Sequence, residues 1–305
     1  MAHGLPRIVG LLGYPVRHSA SPAMHRAAFR ALRMAAWAYL LFEVPPERLE
    51  LAVAGLRGLG FAGANVTIPH KRAVLRWMDD LSEEARATGA VNTIVADPAR
   101  GRLSGHNTDV AGVILALRAW GVEAGERRVL VLGAGGAARA AVYACLRAGS
   151  PWVGVCARRP ERAAALVEEL GATEAFPLDG SLAGTLARRG VDLVIQATPA
   201  GMESTGEEGD AAGERLAGLV APERLPGSAA ILEMVYRPPV TPLVRAARSA
   251  GLAVVPGAAM LLYQGVQAFA LWTGQDAPVD AMARALAREL RVPAQEVLPP
   301  HPPHP

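Results

Sequence analysis

The sequence is poor in cysteine, lysine and asparagine, and it holds no long apolar run free of charge. Two cysteines, Cys145 and Cys156, are too few for a disulfide scaffold and lack the spacing of metal ligands, so no metal site is expected. With no stretch of about 20 uncharged apolar residues, nothing is patterned to span a bilayer. Met1 to Gly10 lacks the apolar centre of a secretion signal, which leads to the expectation of a cytoplasmic protein. Excess charge is missing too: 31 basic residues face 28 acidic ones, spread along the chain. That balance argues against a nucleic-acid or anionic-membrane binder. What is abundant is apolar material, 51% against 19% charged over 305 residues. Global disorder is excluded, and the length suits about two packed domains.

The shortage of lysine is the most informative. Of the 31 basic residues only Lys71 is lysine, and the asparagines are Asn65, Asn92 and Asn107. Where Arg is used wherever a cation suffices, the surviving lysine is a candidate for a task that a permanently charged, fork-shaped guanidinium does poorly. Chance survival on the surface is the plain alternative, and the neighbouring residues weigh against it.

Hydrophobic periodicity and turn residues give an alternating pattern. In the first half, strands are expected at Ile8–Leu12, Trp37–Val44, Phe61–Thr67, Val91–Ala96 and Gly101–Ser104, the last two joined by a turn at Asp97-Pro98. Helices are expected from Ser21 (as N-cap, with Pro22 first in the helix) to about Arg33, over Pro46–Arg57, from Pro69 to about Met78, and over Asp109–Trp120. In the second half, strands fall at Arg128–Leu132, Trp152–Cys156, Val191–Gln196 and Ala229–Met234. Helices follow the glycines at 133–136 and start at Pro160, and Gly257–Trp272 and Ala277–Arg291 close the chain. Met202–Gly213, rich in Gly and Glu, reads as a surface loop. Pro299–Pro305 reads as a disordered tail in which His301 and His304 could hold metal only weakly. The alternation predicts an α/β protein with parallel sheets covered on both faces, in two lobes with a cleft between them and a helix from Asp109 as the connection.

Gly133-Ala134-Gly135-Gly136-Ala137-Ala138 follows a strand and opens a helix, fitting G-x-G-x-x-A. Glycines there allow a tight turn and close approach of backbone N–H groups to a pyrophosphate at a helix N-terminus. The next strand leads into Ala157-Arg158-Arg159, where an NAD site would carry an acid for the ribose hydroxyls. Two guanidinium groups suit a 2′-phosphate, so NADP is the expected cofactor. A solvated Arg pair is the competing reading, disfavoured because cations at a helix start gain nothing unless an anion is present.

The first half holds a second cluster. Ser19 and Ser21 lie beside a helix start and suit a small anion such as a carboxylate. Asn65, Thr67 and Lys71 follow a strand, and Asn92 and Asn107 with Asp109 come next; amides donate and accept, as hydroxylated ligands require. Lys71 and Asp109 form a plausible pair for proton transfer, although spacing alone does not bring them together.

At these residues the sequence resembles the shikimate dehydrogenase family. The matches run through nearly the whole chain: Gly13-x-Pro15-x-x-His18-Ser19-x-Ser21-Pro22-x-x-His25, Asn65-Val66-Thr67-x-Pro69-x-Lys71, Gly89-Ala90-Val91-Asn92-Thr93, Asn107-Thr108-Asp109, Ala197-Thr198-Pro199-x-Gly201-Met202, Val235-Tyr236-x-Pro238, and Gly257-x-x-Met260-Leu261-x-x-Gln264. The resemblance implies NADPH-dependent, reversible reduction of 3-dehydroshikimate to shikimate in aromatic amino-acid biosynthesis. It implies Lys71 and Asp109 as the catalytic pair. It also implies Ser19, Ser21 and Tyr236 on the substrate carboxylate, and Thr67, Asn92, Asp109 and Gln264 toward the ring hydroxyls. Thr198 and Gly257 would join Gly133, Ala134, Gly135, Gly136, Ala137, Arg158 and Arg159 around NADP. Residues 1–108 with 256–291 would form the substrate domain, 109–255 a Rossmann-type NADP domain, and 292–305 a disordered tail. The protein would act as a monomer or homodimer on a small-molecule substrate, without nucleic acid or membrane.

The sequence departs from the family pattern at Ala157 (usually Asn), Glu233 (usually Asp) and Val110 (usually Gly). Rival readings are a broader quinate/shikimate dehydrogenase, a catalytically silent NADP-binding regulator on the same fold, and methylenetetrahydrofolate dehydrogenase-like chemistry. Ser rather than Thr at 19 and 21 favours shikimate over quinate, the intact Lys71, Asp109 and Asn92 set disfavours a silent regulator, and the third leaves the Ser-x-Ser-Pro element unexplained.

Overall fold

A computed structural model of the chain describes residues 6–203 and 206–299. It divides into two compact units, one formed by residues up to 112 together with 262–294, the other by 113–261 and the stretch from 295. The first unit contains β1 (Arg7–Gly13), α1 (Ser21–Ala31), β2 (Trp37–Glu43), α2 (Leu49–Gly58), β3 (Gly63–Val66), β4 (Asp80–Leu81), α3 (Glu83–Thr88), β5 (Thr93–Asp97), β6 (Arg102–His106) and the start of α4 (Thr108–Ala119). Its sheet runs β2-β1-β3-β5-β6-β4.

This sheet corrects the all-parallel expectation. β1 is parallel to β2 and β3, but β5 is antiparallel to both β3 and β6. For β5 and β6 the cause is the turn at Asp97-Pro98. The Asp97 carboxylate accepts hydrogen bonds from the amides of Ala99 (3.0 Å) and Arg100 (3.2 Å), and Gly101 adopts φ +63°. A connection that short can only fold the chain back on itself. The register pairs Leu11 with Asn65, Asn65 with Thr93, and Thr93 with His106. The ends of β1, β3 and β6 and the beginning of β5 therefore meet at one edge of the sheet. Leu12, Val53, Leu56, Val66, Val74, Ile94 and Leu103 form the core beneath it.

The second unit holds β7 (Arg128–Leu132), α5 (Gly136–Arg147), β8 (Trp152–Ala157), α6 (Pro160–Leu170), β9 (Glu174–Pro177), α7 (Leu182–Arg189), β10 (Leu193–Gln196), α8 (Gly206–Val220), β11 (Ala230–Glu233), α9 (Pro242–Ser249) and β12 (Ala253–Val255). Here every strand pair is parallel, in the order β12-β11-β10-β7-β8-β9. This is the doubly wound α/β arrangement expected. Its central strands, Val129–Leu132 and Leu193–Ile195, are completely buried, as unbroken apolar strands under two helical layers should be. The chain closes with α10 (Gly257–Thr273), whose later part belongs to the first unit, and α11 (Val279–Leu290), which packs on α1 there.

Other expectations change. The helix expected from Pro69 is only a 3-10 turn over Ala73–Trp77. Met202–Gly213, read as a loop, runs into α8; a side chain at Gly213 would meet Gly201 and Pro242 at about 3 Å, so that glycine permits close packing rather than marking a loop. Ser21 is not a cap but the first residue of α1: Ala20 holds the cap position, and the Ser21 amide donates to Ser19 Oγ at 3.3 Å. Residues 292–299, assigned to the tail, contain a 3-10 turn at Ala294–Glu296 and bury Val297 completely. His301 and His304 lie outside the described residues.

Candidate active site

The sheet edge of the first unit collects the polar cluster. β3 leads into Thr67 and Lys71, the segment before β5 supplies Asn92, and β6 leads into Thr108 and Asp109 at the start of α4. Backbone bonds tie these turns together: Val91 N donates to Lys71 O (2.7 Å) and Val66 N to Asn92 O (2.7 Å). Lys71 Nζ donates to Asp109 Oδ2 at 2.5 Å, with side chains 15% and 5% exposed. The two residues are 38 positions apart in sequence and are brought together by the pairing of β5 with both β3 and β6.

The other carboxylate oxygen is held from within. Asn92 Nδ2 donates to Asp109 Oδ1 (2.7 Å) and to Thr108 Oγ1 (2.9 Å), while Asn92 Oδ1 accepts from Thr108 N (2.7 Å). Both amide hydrogens of Asn92 are thus engaged inside the protein. Asn107, on the same turn, fixes the start of α4: its side chain donates to Thr88 Oγ1 (2.9 Å) and accepts from Asp109 N (3.2 Å). An ammonium on one oxygen and an amide on the other hold the carboxylate in one orientation, leaving two lysine hydrogens for a ligand. Sequence reasoning did not single out Thr93 and Thr108, which complete this network.

Ser19 and half-buried Thr67 sit on neighbouring turns of the same edge. A side chain at Gly13, which ends β1, would lie 2.3 Å from Thr67 Cγ2, so glycine there lets the two turns touch. Ser21 is buried at the start of α1. Gln264 lies on the part of α10 that belongs to the first unit, next to Gly265, which packs against Met24 and His25 of α1. Tyr236 belongs to the second unit, just beyond β11, and is half-buried there.

In the second unit the turns after β7, β8 and β10 converge. Gly133 has φ +117°, donates to Cys156 O (2.7 Å), and faces Ala197 O and Thr198 so closely that a Cβ would lie 3.0 Å from that oxygen. A Cβ on Gly135 would meet nothing within 4 Å. The start of α5 has no side-chain cap and no acid in its first turn, so its N–H groups remain available to an anion. Arg158 and Arg159 are exposed at the end of β8. These residues fit a dinucleotide: Gly133 to Ala137 for the pyrophosphate, Arg158 and Arg159 for a 2′-phosphate.

Gly257 has a role of its own. A Cβ on this first residue of α10 would lie 2.4 Å from Val235 O and 2.8 Å from Glu233 O, both backbone atoms that cannot swing away. Gly257→Ala should cost about 3 kcal/mol, the upper range for overpacking. A denaturant midpoint equal to that of the unchanged protein would refute this close approach.

Two family models match the chain, the shikimate dehydrogenase substrate binding domain over residues 11–94 and the shikimate 5′-dehydrogenase C-terminal domain over residues 257–287. Among relatives, the shikimate dehydrogenase (NADP(+)) of Rubrobacter xylanophilus is 48% identical, covering 94% of this chain and 97% of the relative. That of Methanopyrus kandleri is 42% identical, covering 93% and 96%. Among solved structures, shikimate 5-dehydrogenase from Thermus thermophilus in complex with NADP(H) and shikimate is similar with a TM-score of 0.80 at 38% identity, covering 93% of this chain and all of that one.

Proposed function

The chain belongs to the shikimate dehydrogenase family, and from that premise we propose that it interconverts 3-dehydroshikimate and shikimate with NADP as cofactor. The observation that supports this most is the 2.5 Å contact of Lys71 with Asp109, whose other oxygen is held by buried Asn92. Reduction of a ketone needs a hydride at carbon and a proton at oxygen; bound NADPH supplies the hydride. Lys71 gives the proton to the carbonyl oxygen and steadies the negative charge that develops there. Asp109 holds the ammonium in place and accepts from a ring hydroxyl. Ser19, Ser21 and Tyr236 bind the carboxylate. Thr67 and Gln264 contact the ring hydroxyls, and Asn92 serves chiefly to orient Asp109, since its own donors are taken.

Gly133, Ala134, Gly135, Gly136 and Ala137 receive the pyrophosphate, Arg158 and Arg159 the 2′-phosphate, and Thr198 and Gly257 border the cofactor. Residues 1–108 with 256–291 bind substrate and 109–255 bind NADP. The protein works in the cytoplasm as a monomer or homodimer. Among the described residues no helix is long and apolar enough to cross a membrane.

Absorbance at the NADPH band tests this reading with purified protein, NADP and shikimate, repeated with NAD and with quinate. Fast NADP reduction with shikimate alone is expected. Comparable rates with quinate or NAD would replace it by the broader quinate/shikimate activity. NADP binding without turnover would replace it by a silent regulator.

A further inference from the structure

The hydrogen bonds behind Asp109 run in one direction, and two backbone groups set that direction. Thr108 N–H can only donate; it meets Asn92 Oδ1 at 2.7 Å, which turns Asn92 Nδ2 toward Asp109. The Asn92 carbonyl can only accept; it takes a bond from Asn65 Nδ2 at 3.3 Å, which turns Asn65 Oδ1 toward Tyr39. The Tyr39 hydroxyl must then donate to Asn65 Oδ1 (2.8 Å). Asn65 Nδ2 also donates to Thr93 Oγ1 (3.0 Å), and the Thr93 hydroxyl meets both Asn92 Oδ1 (3.1 Å) and Thr108 Oγ1 (3.0 Å), the two groups bonded to each other beside Asp109. The series thus runs from Tyr39 through Asn65, Thr93 and Asn92 to the carboxylate.

These residues are deep in the unit: Tyr39 and Thr93 are 0% exposed and Asn65 4%. The Tyr39 ring is clamped by the His25 ring stacked at 4.5 Å, with Trp272 at 6.2 Å. His25 is itself completely buried, and burial pushes its imidazole down to about 3, so it is a neutral ring against the tyrosine. Buried polar side chains normally need partners only for their own sake. Here three of them, from β2, β3 and β5, form a series that ends on Asn92, the side chain that holds Asp109 Oδ1.

We propose that Tyr39, Asn65 and Thr93 are positioning residues, which act through Asn92 to hold Asp109, and with it Lys71, in the geometry of the proton-transfer step. This rests on the reading of Lys71 and Asp109 given above. Such a role affects the transition state more than substrate binding, so its loss should appear in kcat. Thr93→Val keeps the side-chain shape and removes the hydroxyl. Its kcat for shikimate oxidation by NADP should fall about tenfold, because the lost hydroxyl is the link between Asn65 and Asn92, with KM for shikimate and NADP within about twofold. Thr93→Ser restores the hydroxyl and should return kcat to within about threefold of the unchanged protein. Tyr39→Phe should lower kcat in the same direction, by about threefold, and it carries the test should Thr93→Val fail to fold. A merely structural role predicts a lower Tm with kcat unchanged. A folded Thr93→Val or Tyr39→Phe with unaltered kcat overturns the proposal. An unchanged protein that does not oxidise shikimate overturns instead the reading on which it rests.

Discussion

Lys71→Ala leaves a folded protein whose kcat for shikimate oxidation is lower by about two to four decades, the usual cost of removing a positioned acid–base group. The expectation follows from where the ammonium sits. Asp109 Oδ2 holds it at 2.5 Å, and the side chain is only 15% exposed. The ketone oxygen that receives the hydride's partner proton develops negative charge as the bond forms, and a fixed cation is worth most at that moment. The loss should therefore fall on kcat, with KM for shikimate changed much less. Lys71→Arg should not rescue it. The guanidinium keeps the charge but does not give up a proton in proteins, and its planar fork does not fit a site built around a compact ammonium. This explains why a sequence that uses arginine at the other 30 of its 31 basic positions keeps lysine here. Steady-state kinetics of both variants, with NADP binding measured separately, decide the matter. A Lys71→Ala enzyme with unaltered kcat would remove Lys71 from the chemistry.

The parts of this site that could be read in the sequence are those in which one residue type has one use. A lone lysine, a serine pair at a helix start, and glycines between a strand and a helix each narrow the chemistry without any knowledge of strand order. The residues that hold those groups in place could not be read in the same way. Tyr39 looks like an ordinary strand aromatic, and Thr93 like an ordinary β-branched strand residue. Their role exists only because Asn65 pairs with Thr93 across an antiparallel ladder, and alternation of strands and helices had suggested parallel pairing. The turn at Asp97-Pro98 was legible and makes β5 and β6 antiparallel, but the pairing of β3 with β5 spans a long connection and has no local signal.

The helices overlooked show the same division. α3 and α9 are short, but each begins at a capping residue, Ser82 accepting from Ala85 N and Thr241 accepting from Val244 N, and α3 ends at the left-handed Gly89. Those signals were present in the sequence. α8 was hidden for a different reason: Gly213 allows contact with Pro242 and Gly201, a tertiary fact that composition reports as a loop.

Glu233 carries the largest expected effect on stability. Where the family pattern has the shorter acid, this chain places a glutamate that is 1% exposed, and among the described residues no cation is paired with it. Oε1 accepts from Val235 N at 2.9 Å and Oε2 from the Thr241 hydroxyl at 2.7 Å. The carboxyl therefore fixes the residue just after β11 and the cap of α9, the two ends of the loop that carries Tyr236. Burial pushes it from 4.5 up to about 8, against the smaller opposing pull of those donors. The folded protein thus binds a proton more tightly than the unfolded chain. Its contribution to stability is complete below pH 4.5 and is lost progressively as pH rises to about 8. At about 1.4 kcal/mol per pH unit, that window sets a ceiling of about 5 kcal/mol. Glu233→Gln removes the titration. The amide can still accept from Val235 N, but it deprives the Thr241 hydroxyl of its acceptor, a fixed cost at every pH. Thermal unfolding from pH 5 to pH 9 should show the unchanged protein more stable at the acid end and the variant more stable at the alkaline end. The difference in Tm should swing by on the order of 10 °C. Parallel Tm curves would mean that the carboxyl is ionised at the same pH in the folded and unfolded chain, and that its burial is offset in full by the two donors that hold it.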